Sequence, residues 1–505
     1  MNVLIILGHP RKDSFSGALA DAYKVGALSA GVNVKQIVIA EMQFDPNVFT
    51  VSPRNQYFEK DISEAQNLIS WADHLVFVYP TWWGTMPALL KAFLDRVLTP
   101  GFAFEEIHGS NNWEKLLKGK SAQIITTMDT PLWVFKWLHR SPGHNAMAKS
   151  TLQYCGISPV KTLSFSPVND SNQETRAHWL AKAKEKGSEL KNGFLSKREK
   201  VLDKFLSWLK AIRLQFYPMT WIAYASGAYG ASSLGYAFNR DLFWLGYLWL
   251  FLIEVATVLS NEFHDFNSDK QNKYFGPFTG GSRVIVEKDL TFGEIKKGIF
   301  IVLSFSLLVA AVLLWSIPGS LLFTVLLMIA VFIIALGYTV PPLKLSYRGL
   351  GEFDVGITHS FGVILCGFVF QGGNLFEPFP WLLSFPLFLA LIPSIILAGI
   401  PDYESDKASF KRTLPVRLGK KSAAKLAIYL TVLSAIAAML WYQLDIVPGA
   451  FGNAVYFIWI HAALLVMLLY NYIKHPSPPY HINLLLITSL TYIIWFGIIP
   501  LLKLS

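Results

Sequence analysis

Over the first 190 residues, short apolar runs alternate with amphipathic stretches. Val3–Leu7, Val32–Ile39, His74–Tyr79, Gln123–Thr127 and Val160–Phe165 are apolar, β-branched-rich runs bounded by turn residues, as strands are. Between them, apolar positions recur at helical spacing over about 15–30, 61–73, 86–98, 144–155 and 173–191. The alternation predicts an α/β unit: a parallel five-stranded sheet, helices on both faces, ligands at the C-terminal strand ends. From about 212 onward the pattern changes. Nine apolar spans follow, at roughly 214–238, 241–260, 298–317, 320–340, 353–372, 381–400, 423–442, 451–473 and 482–502. Each approaches the ~20 residues that cross a bilayer, which predicts an all-α domain of nine transmembrane helices. Between the two regions, residues 191–211 interleave Lys197, Arg198, Lys200, Lys204 and Lys210 with Phe205, Leu206 and Trp208, an amphipathic juxtamembrane linker. The expected division is therefore 1–190, 191–211 and 212–505.

Composition agrees with that division. Residues 1–190 hold 19 Lys+Arg against 17 Asp+Glu, as an ordinary soluble domain does, whereas 191–505 hold 25 against 17. A mean hydropathy of +0.39 with 15% charged residues excludes a wholly soluble or disordered chain. The net charge of +10 comes from basic residues between apolar spans, so no nucleic-acid partner is expected. Cys155 and Cys366 are the only cysteines, too few for a disulfide scaffold. Met1–Leu7 lack the basic start and long apolar run of a secretory signal, and the first domain is expected to stay in the cytoplasm. Of the 25 basic residues after 190, only Arg240 and Lys503 fall on the opposite side of the nine-span arrangement. The positive-inside rule then makes the other side cytoplasmic in a multi-pass cell-membrane protein.

The unusual residues of the first domain follow its strands. Gly8-His9-Pro10-Arg11-Lys12-Asp13-Ser14-Phe15-Ser16 leads from strand one into a helix, whose N-terminus offers N–H donors to a phosphate; the plainer reading is a helix capped by Asp13 or Ser14. After strand three, Pro80-Thr81-Trp82-Trp83-Gly84 sets two tryptophans on a strand-end loop, suited to a planar heterocycle or to a partner subunit. With Pro87-Ala88-Leu89-Leu90-Lys91, Asp95-Arg96-Val97, Gly101-Phe102-Ala103-Phe104 and Thr126-Thr127, these segments resemble the flavodoxin-like NAD(P)H:quinone oxidoreductases. The resemblance implies FMN or FAD, its phosphate held by the loop of His9, Ser14, Phe15 and Ser16. It puts the ring against Pro80, Thr81, Trp82, Trp83, Gly84, Thr126 and Thr127. NAD(P)H as reductant and a homodimer through this domain are implied as well. Met128-Asp129 stands where the family often has Gly-Gly, and Trp133 and His139 are nearest to a Tyr and His pair that assists hydride transfer in some members.

In the membrane region, span two ends in Asn261-Glu262-Phe263-His264-Asp265-Phe266-Asn267-Ser268-Asp269. Asn261, Asp265 and Asp269 recur every four residues, so on one helix they line one face. Span six ends in Asp402-Tyr403-Glu404-Ser405-Asp406, again carboxylates at i and i+4. Solvated helix ends would account for either segment alone; two acidic faces on one side predict a shared cation site, and oxygen ligands at this spacing suit Mg²⁺ bridging carboxylates to a diphosphate. Arg283, Lys344, Arg348, Lys411 and Arg412 flank these segments and face lipid headgroups or a departing pyrophosphate. The pattern resembles the UbiA superfamily of intramembrane prenyltransferases across 211–505, with Glu262 where the family's first motif has Asp. Thr279-Gly280-Gly281-Ser282 and Thr413–Gly419 look most like the 1,4-dihydroxy-2-naphthoate prenyltransferases of menaquinone synthesis. The resemblance implies Asn261, Asp265, Asp269, Asp402 and Asp406 as metal ligands and catalytic residues with Lys344, an isoprenyl diphosphate donor and an aromatic acceptor. The expected function is a fused quinone reductase and prenyltransferase acting on a quinone and its quinol. A non-catalytic flavodoxin-like docking domain, a reductase recycling the prenylated product, an ether-lipid or chlorophyll-type acceptor, and a transporter are the alternatives; acids gathered at one membrane face, with no path across, argue against the last.

Overall fold

The computed structural model describes residues 1–107, 112–276, 278–475 and 482–505. The chain folds as two units that divide at Lys200–Val201. The first is built on β1 (Asn2–Leu7), β2 (Asn33–Val38), β3 (His74–Pro80), β4 (Phe104–Glu106), β5 (Trp113–Lys115), β6 (Ser121–Thr127) and β7 (Val160–Phe165). Five of them form a parallel sheet in the order β2-β1-β3-β6-β7, as the alternating pattern predicts. Strand side chains alternate between faces, and both faces are buried. Val3, Ile5, Leu7, Val76 and Val78 enter one core, beneath the helices Phe15–Ser29 and Gln173–Ser188. Leu4, Ile6, Leu75, Phe77 and Tyr79 enter the other, beneath Lys60–Trp71 and Ala88–Val97. The antiparallel hairpin β4–β5 is an addition that the short runs Phe104–Glu106 and Trp113–Lys115 did not announce.

Register aligns the ends of three strands. Tyr79 and Pro80 lie opposite Thr126 and Thr127, Gly8 N–H donates to Val78 O at 2.8 Å, and Thr81 N–H donates to Thr127 O at 2.7 Å. The loops after β1, β3 and β6 therefore share one edge, at the order reversal where a doubly wound sheet opens a crevice.

The second unit is helical. Among the described residues, seven helices are long and apolar enough to cross a membrane: Arg240–His264, Phe292–Ser316, Gly351–Phe370, Pro378–Gly399, Lys420–Gln443, Val455–Lys474 and Asn483–Leu504. Two further helices match the remaining expected spans but have only 17 residues each, Tyr217–Ser233 and Leu321–Gly337. Pro218 fixes the start of the first of these, and Gly235, with φ +92°, lies in the turn beyond its end. Outward faces are apolar: Phe300, Ile301, Leu307, Leu308 and Trp315 of one helix are all exposed. The inner faces pack closely. A Cβ on Gly227 would lie 2.1 Å from Ile364 O, and one on Gly367 2.1 Å from Tyr224 O, so these two helices touch backbone to backbone. Pro386 cannot donate to the Leu382 carbonyl one turn earlier, and the Trp441 indole donates to it instead at 2.9 Å.

The expected linker is itself a helix, Lys197–Ile212. Lys204 pairs with Glu294 at 2.7 Å, Lys210 with Glu287 and Asp289 at 2.7 and 2.8 Å, and Ala211 is buried. Val201, Leu202, Phe205 and Leu206 leave an apolar stripe exposed.

Candidate functional site

In the α/β unit, Ser14 caps the first helix, its hydroxyl accepting from Gly17 N–H at 3.1 Å, and no acid lies in that helix's first turn. An anion is favoured there, and the loop fits a flavin phosphate. Ser16 is buried with its hydroxyl 3.4 Å from that of Thr127, which joins the first loop to the paired threonines. Phe15 packs against Trp179, and the His9 ring meets Trp82 edge-on at 5.8 Å. Trp82 and Thr85 exchange backbone hydrogen bonds at 2.8 and 3.0 Å around Trp83 and Gly84, which have φ +49° and +76°. That tight turn holds Trp83 fully open at the strand edge (102% exposed), with Trp82 partly open. The loops that the sequence singled out thus meet at one edge, with a planar aromatic lip and a phosphate-friendly helix end.

Three features lay outside the sequence reading. Asp129, at the expected Gly-Gly, accepts from Asn169 N and Nδ2 at 2.8 and 2.9 Å and ties this loop to the one after β7. Trp133 and His139 are exposed, whereas His144 is buried beside the threonine pair. Its Nε2 lies 3.2 Å from both Thr126 Oγ1 and Ser164 Oγ, and burial, then the charge of Lys136, pushes its pKa below the usual range. The only signal was its place at the start of a helical stretch. Arg96, part of the motif that carried the resemblance, is structural: buried, it binds Glu59 at 2.7 Å and the carbonyls of Asp45 and Tyr57.

In the helical unit the two acidic segments come together. The face expected on one helix is built differently: the long helix ends at His264, Asp265 is the junction, and a short helix runs Phe266–Gln271. The i+4 bonds continue through the break, Asp265 N to Asn261 O at 2.8 Å and Asp269 N to Asp265 O at 2.9 Å, so the fourfold spacing survives. The Asp265 carboxylate is drawn to the Tyr347 hydroxyl at 3.0 Å and to Lys411 Nζ at 2.9 Å. Lys411 also lies 3.8 Å from Asp406, whose carboxylate accepts from Thr413 and Ser268. Asp402 accepts from Asn272 Nδ2 at 2.8 Å and Gly280 N at 3.4 Å. Asp269 lies against Gly281, where a Cβ would sit 2.2 Å from its carboxylate oxygen. Glu262 accepts from Ser282 N and fixes the same turn, while Asn261 accepts from Thr339 Oγ1 at 2.6 Å.

The cluster is overloaded with negative charge. Burial and the neighbouring carboxylates of Glu262 and Asp265 push Asp269 up to about 8, and burial, reinforced by Asp402 and Asp265, pushes Asp406 up to about 7. Burial alone would lower Lys411, but Asp265 and Asp406 hold it above its usual range. Among the described residues no three His, Cys, Asp or Glu close into a ready-made metal cage. Mg²⁺ does not require one, because it keeps waters and binds through one or two carboxylates and a substrate's phosphates, and this surplus of acids fits it in that way.

The flanking cations divide. Lys411 enters the cluster; Lys344 lies over the Tyr347 ring at 5.0 Å; Arg283 donates to Asp269 O and stacks on Phe275 at 3.9 Å. Arg348 is held by the Pro342 carbonyl, and Arg412 is exposed. Sequence reading missed Arg213, whose charge acts on Glu262, Asp269 and Asp402, as well as Tyr347 and Asn272. Asn272, three residues after Asp269, extends the helical spacing that found the others; Arg213 and Tyr347 gave no such signal.

Comparison with known proteins agrees with both halves. The model of the flavodoxin-like fold matches residues 1–188, and that of the UbiA prenyltransferase family matches residues 216–479. A Haemophilus influenzae protein described as an uncharacterized NAD(P)H oxidoreductase is 31% identical over 205 residues, covering 39% of this chain and all of the relative. Mouse (Mus musculus) ribosyldihydronicotinamide dehydrogenase [quinone] is 33% identical over 211 residues, 35% of this chain and 87% of the relative. A solved digeranylgeranylglyceryl phosphate synthase covers 60% of this chain and 98% of its own at 20% identity, with a TM-score of 0.41. The chain belongs to the UbiA prenyltransferase family through its helical unit and to the flavodoxin-like NAD(P)H oxidoreductases through its first 188 residues, one enzyme that carries both.

Proposed function

We propose that this enzyme reduces a naphthoquinone-type compound to its quinol in the first unit and prenylates the quinol in the second, as menaquinone synthesis requires. The observation that carries the reading is the meeting of Asp265, Asp269, Asp402 and Asp406 around Lys411, in a chain that also carries a quinone-reductase-like domain. The mouse relative's name supplies the quinone.

Asp265, Asp269, Asp402 and Asp406 would hold Mg²⁺ against the diphosphate of the isoprenyl donor, and Mg²⁺ when bound neutralises the leaving group. Lys411 positions Asp265 and Asp406 and adds a cation toward the diphosphate; Lys344, Arg213 and Arg283 border the same region. Ser14 and Ser16 would hold the flavin phosphate at the helix N-terminus, while Trp82, Trp83, Gly84, Thr126 and Thr127 border the ring. FMN or FAD, when bound, passes hydride from NAD(P)H to the quinone. Reduction matters because the allylic carbon freed from diphosphate is electron-poor: an electron-rich quinol ring attacks it and a quinone does not. All nine helices are proposed to span the cell membrane, both sites to face the cytoplasm, and the soluble domains to pair as a homodimer.

Purified protein given menadione, geranylgeranyl diphosphate, NADPH and Mg²⁺ should yield prenylated naphthoquinol, identified by mass spectrometry. Equal yield from the oxidised quinone without NADPH, under anaerobic conditions, would overturn the order of reactions and favour a reductase that recycles the product.

A further inference from the structure

A second polar cluster lies deeper in the helical unit, and the acidic site makes no use of it. Glu254 precedes Asn261 by seven residues, two turns along the same face of Arg240–His264, and so stands about 10 Å further from the acidic site. Tyr247 continues the stripe another two turns. Facing Glu254 is His359, its Nε2 3.8 Å from Glu254 Oε1. His359 lies in the wide π turn Thr358–Gly362 that interrupts its helix, a distortion that recurs at functional sites. Its Nδ1 sits 3.2 Å from the Val355 carbonyl, which can only accept, so Nδ1 carries the hydrogen.

The surroundings are rich in unspent polar groups. Asp354 and Tyr217 are each only 4% exposed, yet Asp354 Oδ1 and the Tyr217 hydroxyl, with Glu254 Oε2, have no hydrogen-bond partner among the described residues. Tyr217 and Tyr247 lie within electrostatic range of Glu254, and Asp354 within range of His359. Ionisable residues inside membrane helices are costly and mark functional sites, and buried polar groups left without partners ask for a ligand that supplies them.

We infer that Glu254, His359, Asp354 and Tyr217 form a recognition site for an aromatic acceptor bearing free hydroxyl groups, a site that selects quinol over quinone. The chemistry of the donor set decides the class. An ionised Glu254 accepts hydrogen bonds and offers none, so a hydroquinone hydroxyl satisfies it, while a quinone sets its own carbonyl acceptor against it. A site built around a substrate hydroxyl rejects the analogue that lacks it by large factors. The spacing of about 10 Å leaves room for one ring between this cluster and the diphosphate end.

The residues also supply the proton transfer that the reaction needs. The ring carbon bonds to the allylic carbon as the C–O bond to diphosphate breaks, the electron pair leaving on the diphosphate. The acceptor's hydroxyl proton passes to His359 Nε2, whose positive charge Glu254 offsets. The ring carbon then loses its own hydrogen to the departed diphosphate, and His359 returns its proton to the oxygen, restoring the aromatic ring.

This inference rests on the prenyl-transfer reading, and its test separates the two. Full-length protein in detergent is assayed with menadiol, kept reduced by dithionite, and geranylgeranyl diphosphate. Monodisperse elution in detergent serves as the folding control for the helical unit, and NADPH-dependent menadione reduction as that for the first unit. Glu254→Gln and His359→Gln should each raise the menadiol KM about tenfold or more, leave the geranylgeranyl diphosphate KM within about twofold, and leave menadione reduction intact. Glu254→Asp should fall between. An unchanged menadiol KM, or equal loss of both substrates, overturns the acceptor site. If these variants do not fold, Tyr217→Phe decides: a selective rise in menadiol KM supports the site and none overturns it. Should the wild type transfer no prenyl group, the proposed function fails. Equilibrium dialysis of menadiol against wild type and Glu254→Gln then judges the site alone: weaker binding by the variant supports it, and equal binding overturns it.

Discussion

Lys411 Nζ lies 2.9 Å from Asp265 and 3.8 Å from Asp406, so a single cation links carboxylates that come from different acidic segments. Removing one partner of a buried, paired set leaves the others uncompensated, so these positions should tolerate little substitution. Asp265→Asn or Asp402→Asn should lower prenyl transfer by roughly 10²-fold or more while flavin content stays unchanged. Ordinary turnover by either variant, or activity indifferent to EDTA, would refute the metal-bearing role. At the other site, Ser14→Asp keeps a side chain able to cap the helix but sets a carboxylate where a phosphate belongs. Flavin bound per chain should fall about tenfold with the helical unit unaffected, since like charges at a desolvated helix end repel strongly. A preparation as yellow as the wild type would show that the phosphate lies elsewhere.

At the scale of elements, helix ends and breaks carry the chemistry. The long helix stops at Asp265 and restarts at Phe266, which turns Asp269 against the Gly280–Gly281 turn instead of leaving it on a straight stripe. The proline-bearing helix Pro378–Gly399 survives because Trp441 takes over the carbonyl that Pro386 abandons. Trp441→Phe keeps an aromatic ring but deletes that donor and part of the packing volume, and it should cost about 1–2 kcal/mol or more. A thermal-denaturation midpoint in detergent identical to wild type would show that the carbonyl finds another partner. The helix Lys197–Ile212 anchors one face through Lys204 and Lys210 and leaves Val201, Leu202, Phe205 and Leu206 open, the arrangement of a helix lying at a bilayer surface.

For the whole molecule, fusion is the feature to explain. Tethering two catalysts that share an intermediate raises its effective concentration without a sealed channel. Chemically reduced acceptor should therefore bypass NADPH and restore prenylation to flavin-site variants. Failure of that rescue would mean that the first domain supports the second by structure, not by supplying quinol. Trp82, Trp83, Trp133 and Trp137 are all exposed, aromatic area that suits a second copy of the domain. Mass measurement in detergent should give a dimer, and a fully active monomer would end that proposal.

Periodicity by itself determined the sheet strands, the covering helices and the position of every long apolar helix, because burial on two faces or in hydrocarbon writes itself directly into local sequence. It also found the acidic segments, since i, i+4 spacing is a property of one helix. What it could not determine was which distant groups meet. Lys411 between the two acidic segments, Arg213 within electrostatic range of Glu262 and Asp269, His144 behind Thr126, and Glu254 facing His359 are juxtapositions across tens to hundreds of residues. No local pattern encodes them. The break at Asp265 belongs with them, for it falls where Tyr347 and Lys411, brought from elsewhere in the chain, meet one carboxylate.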